Sequence, residues 1–237
     1  MLMAEMTFEE VKVHLNHNRQ LIVPVGTCEQ HGPHLPLNND ILCAEILANK
    51  LSEKTGALVA PTINYGVNLP CDKFLADTTT ISEITLRETV LSITSWWREQ
   101  GFSQFFLLTY HGDPFHIKAL SYLCKDIRLL EPYEIEYADI LEKQATIKHA
   151  CEAETSLALF LYPEKVRRER ITESDIPFAV FEDYLFHKKT IPPARYTGNL
   201  GFPSAATAEK GEIIFERMME KLLHDVSIPF EQHNGCR

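Results

Sequence analysis

The sequence contains no pair of cysteines at CxxC spacing, and its 6 cysteines are scattered along 237 residues. This scatter argues against a disulfide framework and against a structural zinc knuckle. No apolar run approaches the roughly 18 residues of a membrane span, and the first residues lack the basic, apolar and small-residue order of a secretion signal. We therefore expect a cytoplasmic protein that does not bind membranes.

Positive charge is also scarce. The formal net charge is −10, and the longest basic cluster is KVRRER at Lys165–Arg170, so we expect no nucleic-acid partner. No glycine-rich phosphate cradle or arginine cluster lies near the polar motifs, which disfavours a phosphatase or nucleotide hydrolase. With 45% hydrophobic residues the chain is long enough for one well-packed core, and we predict a single domain over residues 1–237.

The most informative stretch begins with an apolar run. Leu21–Val25 is rich in β-branched residues and is typical of a buried strand of a mostly parallel sheet, and Gly26 then opens a turn. The metal-capable side chains that follow within twelve residues are Glu29, His31, His34 and Asp40. In open α/β sheets, chemistry collects at the carboxyl ends of strands. The stretch therefore predicts a divalent-metal site.

A second apolar run ends in the same kind of chemistry. Phe105–Leu108 reads as another central strand, and Tyr110, His111 and Asp113 follow it. A mixed nitrogen and oxygen ligand set suits Zn²⁺, Mn²⁺ or Fe²⁺ better than Ca²⁺. Since five ligands are too many for one tetrahedral ion, Asp40 could bridge two ions roughly 3.5–4 Å apart.

Hydrophobic periodicity predicts alternating strands and helices over most of the chain, and hence βαβ units with a parallel or mixed sheet covered by helices. Asp40 is the expected N-cap of the second helix. The predicted helices are 6–16, 41–54, 82–100, 117–130, 152–160 and 207–224, and the predicted strands are 21–25, 57–60, 105–108 and 134–140. The expected sources of pocket residues are the long connection 64–80, the irregular stretch near 184–196 and a neighbouring subunit. The whole irregular stretch 170–199 could be a lid or a subunit contact.

The remaining histidines divide by their setting. His34 is a substrate-side or supporting group, because Pro33 excludes a regular helix that would pair it with His31. His116, early in a helix, favours a structural role. His149 can act as a general acid or base. Glu152 and Glu154 follow it at a helix start, where acids also collect for purely structural reasons.

Four motifs together resemble those of the creatininase (creatinine amidohydrolase) family, and the first is highly specific. The motifs are EQHGPHLP at 29–36 with Asp40, YHGD at 110–113, HACEAETS at 149–156 and ATAEKG at 206–211. The resemblance implies a doubly wound α/β fold in three layers, a homo-oligomer that is most often a hexamer, and two divalent ions (Zn, Mn or Fe). It also implies hydrolysis of a non-peptide C–N bond in a cyclic amide or formamide.

The resemblance further implies roles for individual residues. Glu29 and His111 would hold one ion, His31 and Asp113 the other, and Asp40 would bridge them. His149 falls at the position of the family's proton-shuttling histidine. A metal-activated hydroxide would attack the carbonyl, and Glu154, with Glu152, would orient His149 or a metal ligand. We place His34 and Tyr110 at the substrate or behind the ligands.

Three departures from the family pattern bear on the substrate, which we expect to be a small molecule. Asp113 is shorter than the residue common there, the loop segment Leu75–Thr78 lacks the family's Pro and Gly, and Ala138 stands where creatininases carry a tryptophan near the substrate. A substrate other than creatinine is therefore predicted. Related members act as deformylases on a ribosylaminopyrimidine or as cofactor-maturation peptidases, and both stay open. A non-catalytic oligomeric binding module that keeps the fold is the alternative from another class.

Overall fold

A four-stranded parallel sheet forms the centre of the chain. The computed structural model describes residues 1–75, 78–174, 176 and 178–230. Its strands are β1 (Gln20–Val25), β2 (Leu58–Val59), β3 (Gln104–Thr109) and β4 (Ile127–Leu130), in the order β2-β1-β3-β4. Strands β1 and β3 lie side by side in the middle, and Val25 pairs with Thr109 at their carboxyl ends. This register brings the two predicted metal motifs to the same edge of the sheet.

Helices cover both faces of the sheet, so the predicted doubly wound α/β fold is confirmed. The helices are α1 (Phe8–His14), α2 (Asn39–Thr55), α3 (Glu83–Gln100), α4 (Pro114–Leu120), α5 (Glu152–Leu161), α6 (Glu182–Leu185) and α7 (Ala208–Ser227). Side chains alternate between the faces along each strand. Ile22 and Phe106 pack under α2, α5 and α7, whereas Leu21 and Phe105 pack under α3 and α4.

The helix starts follow local capping chemistry, with one correction. Thr7 forms a capping box with Glu10 at the start of α1. Helix α2 begins at Asn39 and its N-cap is Asn38, so the prediction that Asp40 is the N-cap is wrong. The Asp40 carboxylate instead lies 3.0 Å from Nε2 of His31. Its place in the first turn leaves it available to the site.

Two predicted elements between the second motif and the third are also wrong. Helix α4 ends at Leu120 rather than continuing to Leu130, and Ile127–Leu130 forms β4 against β3. Residues 134–140 form turns, not a strand. Ile135 and Ile140 pack against the core from these turns, which explains the alternation that resembled a strand.

The described residues of the stretch 170–199 are irregular, as predicted, and among them only short turns and helix α6 occur. It packs on the 3₁₀ turn Pro70–Leu75 through a separate apolar cluster of Cys71, Phe181, Tyr184, Tyr196 and Leu200. The cysteines at 43, 71 and 151 are free thiols, while Cys236, Pro177, Ala76 and Asp77 lie outside the described residues. None of the described helices is long and apolar enough to cross a membrane.

Candidate metal centre

The first group of possible metal ligands joins the loop after β1, helix α2 and the end of β3. Nδ1 of His111 lies 3.1 Å from Oε2 of Glu29 and 3.1 Å from Oδ2 of Asp40. Nε2 of His111 donates to the carbonyl oxygen of Val67 at 2.8 Å. With its proton placed on Nε2, the ring presents the Nδ1 lone pair to the two carboxylates. Carbonyl partners of this kind orient the metal-binding histidines of known proteins.

The second group shares Asp40 with the first. Nε2 of His31 lies 3.0 Å from Oδ1 of Asp40 and 3.8 Å from Oε2 of Glu154. Nδ1 of His31 donates to the carbonyl oxygen of Glu29 at 3.1 Å, so Nε2 faces the carboxylates. The two oxygens of Asp40 therefore point to two different histidines, which is the arrangement predicted for a bridging ligand.

Glu154, rather than Asp113, lies beside His31 and Asp40 in a group that could hold an ion. Oδ1 of Asp113 accepts hydrogen bonds from the backbone N–H groups of Phe115 and His116, at 2.7 and 3.0 Å, and so caps α4. Among the described residues Asp113 joins none of the groups that could hold an ion. Its role as a ligand stays a prediction, and its carboxylate, whose Oδ2 has no hydrogen-bond partner among the described residues, lines the adjoining cavity. Glu154, predicted to support the histidines, is a ligand candidate.

The buried charges at the centre fit divalent cations. Glu29 and Asp40 are almost fully buried, and Oε2 of Glu29 and Oδ2 of Asp40 have no hydrogen-bond partner among the described residues. Burial opposes protonation of His31, but the nearby negative charges, chiefly that of Asp40, outweigh burial and raise its pKa to about 10. Burial raises the pKa of Glu154 to about 8. Buried carboxylates without partners are costly unless a cation compensates them, and a mixed carboxylate and imidazole set suits Zn²⁺, Mn²⁺ or Fe²⁺.

His149 reaches the centre from the turn before α5. Its ring packs on that of His31 with centroids 4.4 Å apart, and Nδ1 lies 3.9 Å from Oε2 of Glu29. Burial lowers the pKa of His149 to about 4. Glu154 accepts a hydrogen bond at 2.6 Å from the backbone N–H of Ala150, which adopts a left-handed φ of 48°. Glu154 thus also holds the turn that carries His149.

The other predicted site residues divide into structural and cavity-lining groups. His34 is fully buried, and its Nε2 bonds Thr155 Oγ1 at 2.8 Å, so it lies behind the ligands rather than at the substrate. Glu152 is fully buried and pairs with Nζ of Lys210 at 2.7 Å, which makes its role structural. His116 bonds Thr109, also a structural role. Tyr110 lines the cavity with a buried hydroxyl.

A cavity of about 520 Å³ opens onto the centre. Its far walls come from the connection 64–80 and the irregular stretch, as predicted, and also from the turns after β4. Residues of these walls include Leu69, Ile135, Phe178, Phe181, Leu185 and Tyr196. The metal-capable side chains therefore lie at the floor of a largely apolar cavity, a setting in which electrostatic interactions are strong.

Sequence reasoning missed a set of residues behind His149. Gln30 accepts the Nε2 proton of His149 at its backbone oxygen, and its side chain contacts Asp72 and Tyr196. Gln30 lies between Glu29 and His31, so the sequence motif indicates that it is near the site. The motif does not indicate which side chains Gln30 contacts. Asp72 lies in the long connection, where no pattern distinguishes it from other loop acids.

Comparison with known proteins gives a consistent result. The family model described as creatinine amidohydrolase (creatininase) matches residues 4–226. Creatinine amidohydrolase of Pseudomonas putida is 29% identical over 222 residues, covering 83% of this chain and 84% of that protein. Mycofactocin precursor peptide peptidase of Mycolicibacterium smegmatis is 30% identical over 209 residues, covering 84% of this chain and 81% of that one.

The solved structures agree in fold. A crystal structure of creatinine amidohydrolase (creatininase) superposes with a TM-score of 0.79 and 24% identity, covering 98% of both chains. Other solved creatininases of this fold are described as a Mn form and as a Zn-Zn form of a variant. Hydrolases named for creatinine and for a peptide both resemble this chain, so likeness does not decide between these substrates.

Proposed function

The chain belongs to the creatininase family, and on that premise we propose that it is a metal-dependent hydrolase of a C–N bond in an amide other than creatinine. One observation carries the proposal: the two oxygens of Asp40 face two histidines, His31 and His111, each of which has a second carboxylate beside it. This shared carboxylate supports a centre for two divalent ions, of Zn, Mn or Fe.

We assign the ligands from the donor atoms that lie together. Glu29, Asp40 and His111 would hold one ion, and His31, Asp40 and Glu154 the other. When bound, such ions lower the pKa of water toward neutrality and polarise a carbonyl oxygen. The carbonyl oxygens of Val67 and Glu29 keep the two imidazoles in the tautomers that ligation requires.

His149 is the proposed proton carrier. Its Nε2 proton is engaged by the backbone oxygen of Gln30 at 2.7 Å, so Nδ1 is the atom that can take up and release a proton beside the centre. Its depressed pKa, about 4, keeps the ring neutral before reaction and makes the imidazolium a strong acid toward a departing nitrogen.

The cavity supports an amide larger than a single small ring. Its volume of about 520 Å³ falls in the range of pockets that hold drug-sized ligands. Cyclic amides and formamides with an apolar substituent fit this description. A short peptide is the second candidate, favoured by the same volume and by the peptidase relative.

We also propose that the chain forms a homo-oligomer, with a hexamer as the first expectation. Large apolar side chains stand on the surface away from the cavity, among them Trp96, 67% exposed, and Tyr122, 96% exposed. Light scattering coupled to size-exclusion chromatography measures the assembly, and a monomer at all concentrations would contradict this part.

A substrate panel tests the reaction. The purified protein, loaded with Mn²⁺ or Zn²⁺, is assayed on lactams, N-formyl compounds, short peptides and phosphate esters. Hydrolysis of an amide in the first three groups, abolished by chelation, supports the proposal. Hydrolysis of phosphate esters alone would overturn it, and bound metal without any hydrolysis would favour the binding-module alternative.

Two variants separate metal binding from proton transfer. His31→Ala should remove bound metal, because it removes the imidazole of one group. His149→Gln should retain the wild-type metal content and lower turnover by about 10²-fold or more, the usual range for a general acid or base. Elemental analysis distinguishes the two, and loss of metal in His149→Gln would make His149 a ligand instead.

A further inference from the structure

One cationic side chain stands on the wall of the cavity above the metal centre. Lys148 is the only lysine or arginine among the described residues that line this cavity. It is half-buried, and its Nζ lies 4.0 Å from the centroid of the Phe178 ring, which is also part of the wall. An aromatic face attracts an ammonium group through its π-electrons and not through a lone pair. Phe178 therefore holds the amine at the wall while the N–H donors stay available to a ligand.

Two contacts fix the backbone that carries Lys148. Its N–H donates to Sγ of Cys151 at 3.2 Å, and the carbonyl oxygen of His149 accepts from the N–H of Leu200 at 2.8 Å. Both Lys148 and His149 line the cavity. The cation therefore stands next to the proposed proton carrier on an anchored turn rather than on a free loop.

The charge of Lys148 has no counterpart on the protein. No carboxylate of the described residues forms an ion pair with it, whereas Lys210 has such partners. Two other acids line the walls, Glu134 and Glu136, but both are exposed on the turns after β4, where water screens their charge. The carboxylates of the floor belong to the ligand groups or, in Asp113, to the cap of α4. An anionic group of a ligand would supply the missing partner.

The walls fit a carboxylate better than a phosphate. Proteins usually bind a phosphate with several cations or with backbone N–H groups at a helix start, and here the described wall offers a single amine. One amine suffices to donate to a carboxylate. The other wall residues, Ile135, Phe181 and Leu185, are apolar and suit a hydrocarbon substituent on the same ligand.

We propose that Lys148 binds a carboxylate on the nitrogen half of the substrate, so that the preferred substrates are N-formyl or N-acyl amino acids with an apolar side chain. The half follows from His149, the next residue along the chain, which gives its proton to the departing nitrogen. Water supplies OH to the acyl carbon as the C–N bond breaks, and the nitrogen leaves with the hydrogen as the amine of an α-amino acid. The reaction in this inference rests on the proposed function, whereas carboxylate binding can be measured without turnover.

Binding to metal-loaded His149→Gln tests the contact apart from turnover. The probes are N-formyl-L-leucine and N-isopentylformamide, which is the same molecule with hydrogen in place of the carboxylate. Calorimetry should show N-formyl-L-leucine binding about tenfold or more tightly, the usual effect of a charge-assisted hydrogen bond. This preference should disappear when Lys148→Met is added.

Three results of the calorimetry would overturn the proposal. Equal affinity for the two probes would show that the carboxylate makes no favourable contact. A preference that survives Lys148→Met would show that the ions or another group bind the carboxylate. Failure of both probes to bind would exclude this class of substrate.

Lys143→Met is the matched control for the loss of one positive charge. Nζ of Lys143 also lies on an aromatic ring, 4.3 Å from the centroid of Phe202, but Lys143 does not line the cavity. Lys143→Met should keep the wild-type preference, and Lys148→Arg, which retains the charge, should keep most of it. Equal losses in Lys143→Met and Lys148→Met would show an effect of net charge and contradict the assignment.

Kinetics on the metal-loaded protein give the second test. The ratio of kcat/KM for N-formyl-L-leucine over N-isopentylformamide should be about 10–100 with His149 and Lys148 present and near one in Lys148→Met, mainly through KM. If neither formamide is hydrolysed while the calorimetric preference persists, the proposed reaction fails and the carboxylate site stands. Hydrolysis of both at equal rates overturns the site and leaves the proposed reaction intact.

Discussion

Separate substitutions of Glu154 and Asp113 give the most direct test of which carboxylates hold the ions. If Glu154 holds an ion with His31 and Asp40, Glu154→Gln should bind one ion fewer per chain than wild type. The glutamine keeps an oxygen for the N–H of Ala150, so the turn before α5 is preserved. Asp113→Asn should bind the same number of ions as wild type, because Asp113 lies outside both ligand groups.

The magnitudes follow from the contacts. An ion present at a hundred times its dissociation constant stabilises the folded protein by about 2.7 kcal/mol, or about 5–11 °C in Tm for a chain of this size. Glu154→Gln should lose that increment only when metal is present. Asp113→Ala removes an N-cap that accepts from two backbone N–H groups. It should cost about 1–2 kcal/mol with or without metal, whereas Asp113→Asn, itself a good N-cap, should cost little.

Elemental analysis and thermal unfolding with and without Mn²⁺ or Zn²⁺ separate the two effects. The reasoning is refuted if Glu154→Gln keeps the wild-type metal content while Asp113→Asn loses an ion. It is also refuted if the Tm difference of Asp113→Ala from wild type appears only in the presence of metal, since a helix cap does not depend on an ion.

Three further predictions concern protons and buried polar groups. Because neighbouring carboxylates outweigh burial and raise the pKa of His31 to about 10, its charge stabilises the metal-free protein below about pH 6.5, and this stability is lost as the pH rises through 10. Because metal must displace this proton, metal affinity should rise with pH up to about pH 10. Calorimetry of metal binding in buffers of different ionisation enthalpy should detect the released proton. Identical binding heats in all buffers would contradict this prediction. Lys210→Met should destabilise by about 3 kcal/mol in chemical denaturation, with metal content unchanged, because it leaves the buried carboxylate of Glu152 without its cation; a change below about 1 kcal/mol would show that the pair is unimportant. Thr155→Val should cost about 1–3 kcal/mol in the same assay by leaving Nε2 of His34 unpaired, and a neutral result would mean that His34 finds another partner.

The sheet and most of the centre could be predicted because both depend on local patterns. Leu21–Val25 and Phe105–Leu108 are apolar runs followed directly by ligand-capable residues, and parallel central strands place their carboxyl ends together. Once β1 and β3 are neighbours, Glu29 and His111 must lie close. Asp40 returns to the same edge at the start of α2, where its place between the two histidines was predictable although its N-cap role was wrong.

The edge of the sheet was not predictable in the same way. Ile127–Leu130 is a four-residue strand with only Leu130 fully buried, so its pattern carries little information beyond that of the adjoining helix. The turns 134–140 alternate because Ile135 and Tyr137 pack inward from a loop, and periodicity cannot distinguish this from a strand. Tertiary packing decided both elements.

The helix cap formed by Asp113 is a different case, since a local signal for it was present in the sequence. Asp113 is followed by Pro114, and an acid before a proline at the first helical position is the pattern of an N-cap. Its Oδ1 accepts from two backbone N–H groups and so is held at the helix end, while its Oδ2 has no hydrogen-bond partner among the described residues. Glu154 projects from the first turn of α5 on the other side of the centre, within 3.8 Å of His31. The capping rule and the strand-end rule thus predict two roles for Asp113. The cap depends on bonds within four residues and is present in the structure, whereas ligation needs distant elements and an ion, so the ligand role stays a prediction.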